Sequence, residues 1–269
     1  MAQPTYEILA LRYATVQERT QAECLLFPDD HAAPMPIDFF VFAIRGAKEL
    51  GGKTIMVDTG FDKASADRRG RSLIRSPELV LADAGVDCGA VENVVLTHMH
   101  WDHAGGMKFF PNAKFHLQDK EMEYCTGRCM CENVLRRPFD AEHVVDAVRA
   151  LYTDRVIFHA GSGDEVAPGV TLHWIGGHSK GIMAVRVPTA RGWVVLAGDT
   201  SHYWANIRGR NPFPIVVNVE EMLTGYKTLE SLADGPDHII PGHDPLILKK
   251  FPRLNGNPEI VRIDQAPIA

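Results

Sequence analysis

Short apolar runs recur along the chain, and most of them close on glycine, aspartate or histidine. Residues 6–14, 37–44, 54–57, 94–96, 113–117, 170–175, 183–187 and 193–197 read as strands, and 237–243 as a final strand and ligand loop, because runs of this length rich in β-branched residues suit a buried sheet. The second is apolar on both faces apart from Asp38. Gly46 and Gly51-Gly52 predict a hairpin turn before the third. Helical spacing appears elsewhere. Ser76-Pro77-Glu78 opens a helix that stops at Gly85, with a capping serine, proline at the first turn and an acid on the positive end of the dipole. Asp119 is expected to cap a helix reaching about Gly127. Asp140 is expected to cap another, carrying Val144, Val148 and Leu151 on one stripe and a solvated His143 in its first turn. Asn218 opens the last long helix, whose predicted buried face is Val219, Met222, Leu223, Tyr226, Leu229 and Ala233. The proline-rich 27–36 stretch reads as a surface loop, the basic run 68–71 as a solvated loop, and 136–139 as a segment able to border a pocket.

Against this background one stretch stands apart. Thr97-His98-Met99-His100-Trp101-Asp102-His103-Ala104-Gly105-Gly106 places three histidines and an aspartate within six positions, just after a buried strand. Other strands end similarly: at Asp58, at Gly176-Gly177-His178, at Gly198-Asp199 and at Pro241-Gly242-His243. A carboxylate at the end of an apolar run needs a partner, and a cation is a natural one for Asp199. His98, His100, Asp102, His103, His178, Asp199 and His243 make five imidazoles and two carboxylates. That exceeds the four ligands of one tetrahedral zinc and fits two divalent ions about 3.5–4 Å apart. The nitrogen–oxygen donor set suits zinc and also iron, manganese or cobalt. His116 and His238 read as structural, as does the Cys125/Cys129/Cys131 cluster, whose spacing forms no CxxC pair.

These motifs resemble, in order, those of the metallo-β-lactamase superfamily: the aspartate-glycine turn at Asp58-Thr59-Gly60, H-x-H-x-D-H at His98–His103, the G-H-S-x-G loop at Gly177–Gly181, the bridging aspartate Asp199 and the closing Gly242-His243. Within it, the N-acyl-homoserine lactonase branch is the most similar. The resemblance implies an α/β fold, an αββα sandwich of two mixed sheets flanked by helices, whose two halves would divide between Gly127 and Arg155. Residues 1–269 would form a single domain. It implies that His98, His100 and His178 hold one ion, Asp102, His103 and His243 the other, that Asp199 bridges them, and that Asp58 supports the ligands from behind. Zinc is the expected metal. Hydroxide held between the ions would attack a lactone carbonyl, opening the ring in a quorum-quenching type of reaction, with Asp102 carrying the proton to the leaving oxygen. The lactonases also use a tyrosine three residues after the bridging aspartate. Here that position is His202, followed by Tyr203, and either could donate to the substrate. Trp101 would line the pocket. Two further readings are a thioesterase resembling glyoxalase II and a mononuclear-iron sulfur dioxygenase.

Composition narrows the partners. With 28 basic against 34 acidic residues the formal charge is −6, which offers no general field for nucleic acid. No apolar run approaches a membrane span, and the N-terminus lacks a basic-then-apolar leader. The expectations are therefore a cytoplasmic protein acting on a small molecule, without nucleic acid or membrane as partner, and in an oligomeric state left open that includes a homodimer.

Overall fold

The computed structural model describes residues 4–46 and 51–268. The turn expected between Gly46 and Gly51 therefore lies outside the described residues. Two mixed sheets carry the architecture. The first comprises β1 (Tyr6–Val16), β2 (Ile37–Gly46), β3 (Thr54–Val57), β4 (Asn93–Val95), β5 (Lys114–Gln118), β6 (Val156–His159) and β12 (Ile260–Arg262), in the order β12-β1-β2-β3-β4-β5-β6. The second comprises β7 (Ser162–Ala167), β8 (Val170–Trp174), β9 (Met183–Thr189), β10 (Gly192–Leu196) and β11 (Ile239–Ile240), in the order β11-β10-β9-β8-β7. β3 to β6 run parallel, as do β10 and β11; the other pairs are antiparallel.

The sheets pack face to face. Phe40, Phe42 and Ile44 on β2 meet Leu172, Met183, Val185, Val194 and Leu196 of the second sheet in one buried cluster. Strands buried on both faces carry few polar positions, which is why β2 reads as a nearly continuous apolar run. The outer face of the first sheet is closed by Val80 and Leu81 of helix Pro77–Asp83 and by Ala147 and Ala150 of helix Ala141–Leu151. Met222, Tyr226 and Leu229 of helix Val219–Leu232 cover the second. This is the expected αββα sandwich.

Several local expectations need correction. The two halves divide between His159 and Ser162, later than expected, because the chain crosses over through helix Ala141–Leu151 to add β6 beside β5 before changing sheets. The polar β7 and the three-residue β12 carry too little apolar signal to be read as strands. Asp119 is the first residue of its helix rather than the cap, which is Gln118. Asp140 does occupy the cap position, but its carboxylate binds Arg68 and Arg69 at 3.0 and 2.6 Å instead of backbone amides. Val219 is exposed, and the buried stripe of its helix begins at Met222. His143 is not solvated: its ring is buried, with Nε2 3.1 Å from Ser65 Oγ. Nor is the basic run a plain solvated loop. Arg68 ends helix Lys63–Arg68, and Arg69 lies over the Trp101 ring at 4.8 Å. His116 is structural as expected, bonded to His159 and Asn93.

Candidate metal centre

The histidine- and aspartate-bearing loops leave β3, β4, β8, β10 and β11 along one edge of the sandwich, so strand pairing gathers side chains that are far apart in sequence. Two loop geometries depend on glycine. Gly177 adopts φ +90°, and a Cβ there would sit 2.6 Å from the Met222 backbone nitrogen. A Cβ on Gly242 would come within 2.6 Å of Asp199 Oδ1, so the His243 loop approaches the carboxylate only because this residue has no side chain.

Ligand atoms within 4.8 Å of one another form four overlapping groups: His98/His100/His178, His98/His103/Asp199, Asp102/His103/His243 and His178/Asp199/His202. All seven residues predicted as ligands are thus brought together, and His202 joins them. Asp199 lies at the centre. Its Oδ1 is 3.0 Å from His243 Nε2 and 3.3 Å from His103 Nε2, while its Oδ2 is 3.4 Å from His178 Nε2 and 2.9 Å from His202 Nε2.

Hydrogen bonding behind the rings fixes which nitrogen is left for a metal. His178 Nδ1 donates to the Ile215 carbonyl and His243 Nδ1 to the Asp38 carbonyl, each at 2.7 Å. His103 Nδ1 donates to Asp58 Oδ2 at 2.7 Å. Thr97 commits its hydroxyl hydrogen to Asp58, so it accepts from His98 Nδ1 at 3.1 Å. Carbonyls and carboxylates only accept, so all four rings carry hydrogen on Nδ1 and leave Nε2 as the nitrogen that faces inward for a metal. His98 Nε2 and His178 Nε2 then face each other at 3.2 Å, and His103 Nε2 and Asp199 Oδ1 are buried without a hydrogen-bond partner. Facing lone pairs and an unsatisfied buried carboxylate oxygen are costly in a dry site unless a cation lies among them. The donor set fits divalent metal.

Asp58 holds this arrangement from below. It accepts from Thr97 N at 2.8 Å as well as from the Thr97 hydroxyl and His103. It does so with φ +62°, an uncommon conformation for a side chain other than glycine and one that packed surroundings must enforce. Glu121, which the sequence reading passed over, plays a comparable part. Fully buried in helix Asp119–Thr126, it accepts from Met99 N at 2.9 Å, Ser179 Oγ at 2.6 Å and Gly181 N at 2.9 Å. One carboxylate thereby ties together the two loops that carry His98, His100 and His178. Burial pushes its carboxyl up, and these three bonds pull part of the way back.

Burial drives the His98, His100 and His178 rings below the usual imidazole range, reinforced by neighbouring histidines at the first two. Burial opposes charge at His103 and His243 too, but Asp199 and its neighbouring aspartates outweigh it and raise both. Asp199 itself would be pushed up by burial, yet His243, His103 and His202 hold it well below the carboxylate range. The two groups should therefore respond differently to acid. As pH falls, His103 and His243 take up protons first, and a protonated ring cannot ligate. Metal at Asp102/His103/His243 is expected to dissociate at higher pH than metal at His98/His100/His178. Metal content followed through an acid titration checks this; simultaneous loss, or the reverse order, contradicts it.

A cavity of about 690 Å³ opens over these groups, bordered by His100, Trp101, Asp102, His178, Asp199, His202 and His243. Trp101 packs on Phe61 with ring centroids 4.5 Å apart and borders the cavity. His202 stacks on Phe213 at 3.4 Å, and burial pushes its ring down to about 3, so it is neutral. Tyr203 points elsewhere. Its hydroxyl lies 3.2 Å from Cys24 Sγ within the core around the first sheet, and it does not border the cavity.

Residues 41–243 match the metallo-beta-lactamase superfamily, most of the chain and every loop described above. The chain belongs to that superfamily. It is 30% identical over 217 residues to a probable metallo-hydrolase of Mycobacterium tuberculosis, covering 72% of this chain and 68% of that protein. It is 27% identical over 207 residues to an N-acyl homoserine lactonase of Bacillus thuringiensis subsp. kurstaki, covering 71% of this chain and 76% of that one. The fold superposes with TM-score 0.70 and 20% identity on an N-acyl homoserine lactone hydrolase solved with N-hexanoyl-L-homoserine bound at its catalytic metal centre, covering 93% of this chain and 96% of that one. Family and His/Asp site together make this protein a metal-dependent hydrolase, near the lactonase branch. Among the described residues no helix is long and apolar enough to cross a membrane.

Proposed function

We propose that this protein opens a lactone ring using two divalent ions, most simply zinc. The reading rests above all on Asp199, which turns one carboxylate oxygen to each of two histidine groups. His98, His100 and His178 would hold one ion and Asp102, His103 and His243 the other, with Asp199 shared. When bound, such ions acidify water into a nucleophile and polarise a carbonyl oxygen. The chain does the rest. The Nδ1–H bonds to Asp38, Asp58 and Ile215 hold the rings in place before substrate arrives, so little reorganisation is needed during reaction. Trp101 and the aromatic residues behind it wall the site against bulk water. Asp102, only partly buried at the cavity floor, is placed to carry a proton to the leaving ring oxygen.

Similarity to lactonases favours a lactone over a thioester, and the second complete group of ligands favours a dinuclear hydrolase over a one-iron dioxygenase. A panel of lactones, thioesters and β-lactams given to metal-loaded protein tests this; turnover confined to thioesters would sink the lactone reading.

Between the two candidates after Asp199, the geometry favours His202 as the substrate-facing donor. It borders the cavity, and its single N–H, held by Asp199 Oδ2 at 2.9 Å, would be released to a substrate oxygen once metal takes up that carboxylate, while the Tyr203 hydroxyl lies at Cys24, away from the cavity. Removing one donor to a developing oxyanion elsewhere costs ~10²–10³ in turnover. Because metal shares that oxygen, His202→Ala is expected to lower kcat by about 10- to 100-fold with metal retained. Tyr203→Phe is expected to leave kcat within a few-fold and to cost about 0.5–1.5 kcal/mol of stability through the lost Cys24 contact. Parallel measurement of kcat, metal content and Tm distinguishes these outcomes; an unchanged kcat in His202→Ala removes the role.

A further inference from the structure

The cavity wall leading away from the metal ligands is strongly cationic, in a chain whose formal charge is −6. Arg19, Arg68, Arg69, Arg71 and Arg137 all border it, and apart from Asp102 and Asp199 the only acid among the described residues that does so is Glu23. Two of the arginines are committed: Arg68 and Arg69 pair with Asp140, and Arg69 also donates to the Arg137 and Phe139 carbonyls at 3.0 Å. Arg69 thus pins the 137–139 segment to the Trp101 ring and fixes the distance from the arginine wall to the ligands. Arg19 lies 3.8 Å from Glu23, and its buried Nε makes no hydrogen bond. The exposed side chains of Arg71 and Arg137 have no carboxylate partner among the described residues. Cations left unpaired along one wall of a site raise the local concentration of anions and offer forked donors to a carboxylate or phosphate.

We infer that the substrate carries a negative charge: a lactone whose ring lies at the metal ligands and whose far end bears a carboxylate or phosphate held by Arg71 and Arg137, with Arg19 beside them. This rests on the lactone reading above and narrows it. In the reaction, water oxygen bonds to the carbonyl carbon, the ring C–O bond breaks, one water proton passes to the departing oxygen and the other is released to solvent as the new acid ionises, so the anionic lactone leaves as a hydroxy acid with one further carboxylate. A plain alkanoyl chain would leave the arginine wall without a role.

The test uses matched pairs with metal-loaded protein. N-adipoyl-homoserine lactone, with its free terminal carboxylate, is compared with its terminal methyl ester; a 6-phosphooxyhexanoyl analogue against its 6-hydroxyhexanoyl counterpart forms the phosphate arm; and monomethyl adipate against dimethyl adipate forms an open-chain pair. Exposed ion pairs contribute up to roughly fivefold each, so the charged lactone should have kcat/KM about 5- to 20-fold above its neutral partner. That ratio should fall toward one in the Arg71→Gln/Arg137→Gln double variant and at high salt. Read as a ratio, a general loss of activity or folding in the variant cancels. The larger of the carboxylate and phosphate ratios identifies the anion. A ratio of one or less for the unsubstituted protein overturns the inference while leaving lactone opening intact. If no lactone turns over but the charged open-chain ester outpaces the neutral one, the lactone reading fails and the arginine wall keeps its role.

Discussion

Asp199→Ala is expected to lose metal and activity together. The carboxylate lies within reach of His103, His178, His202 and His243, and among the described residues no other acid turns an oxygen to both histidine groups. Without it the buried lone pairs remain but lose the negative charge that would offset the proposed two divalent ions. Turnover should fall by about 10³ or more, beyond the loss of a single neutral donor, because in the proposed two-metal reaction both the nucleophile and the polarised carbonyl would depend on the same pair of ions. The stabilisation metal gives the native state should vanish as well, about 2.7 kcal/mol when free metal is a hundred times its Kd. Elemental analysis, initial rates and thermal melting with and without added metal report these effects separately. A variant that keeps two metals and full turnover would show that Asp199 does not bridge.

The second large effect is expected at Glu121, which touches no metal ligand side chain. Glu121→Gln keeps the shape but turns an NH₂ group toward Met99 N–H, Ser179 O–H or Gly181 N–H, all of them donors. At least one buried donor loses its acceptor, at about 1–3 kcal/mol, and two donors then face each other. A loss of about 3–4 kcal/mol, or roughly 6–15 °C in Tm, is expected. Because the two loops also set the spacing of His98, His100 and His178, metal affinity at that group should weaken by about 10- to 100-fold, as it does when supporting partners of ligands are removed elsewhere. Melting curves and a metal-competition titration check both. A variant with lowered Tm but unaltered affinity would mean that Glu121 stabilises the loops without tuning the site.

The clustered histidines and aspartates of the candidate metal centre were legible in the sequence because most of them follow the end of an apolar strand and are flanked by small residues. A polar group in that setting has few purposes, and strand-end position survives errors in element boundaries. The supporting contacts were not legible. His178 and His243 are held by the backbone carbonyls of Ile215 and Asp38, and a carbonyl has no sequence signature. Glu121 shares its helix with Asp119 and Glu123, and one acid resembles the next until tertiary packing buries it. The basic run 68–71 looked like solvated surface for the same reason. Whether its arginines face water or a cavity depends on Asp140 and Arg137, which lie 68 to 72 positions further along the chain. The division between the sheets was misplaced because the four residues of β6 do not by themselves tell which sheet they join, and only pairing with β5 assigns them to the first.

The most direct test of a two-metal lactonase is a single titration. Chelator-stripped protein is given zinc in increments, and the rate of homoserine lactone opening is followed as acid release at each step. Opening should be negligible in stripped protein, remain low through the first equivalent and reach its plateau at two equivalents per chain. A plateau at one equivalent, or no ring opening at any loading, would contradict it.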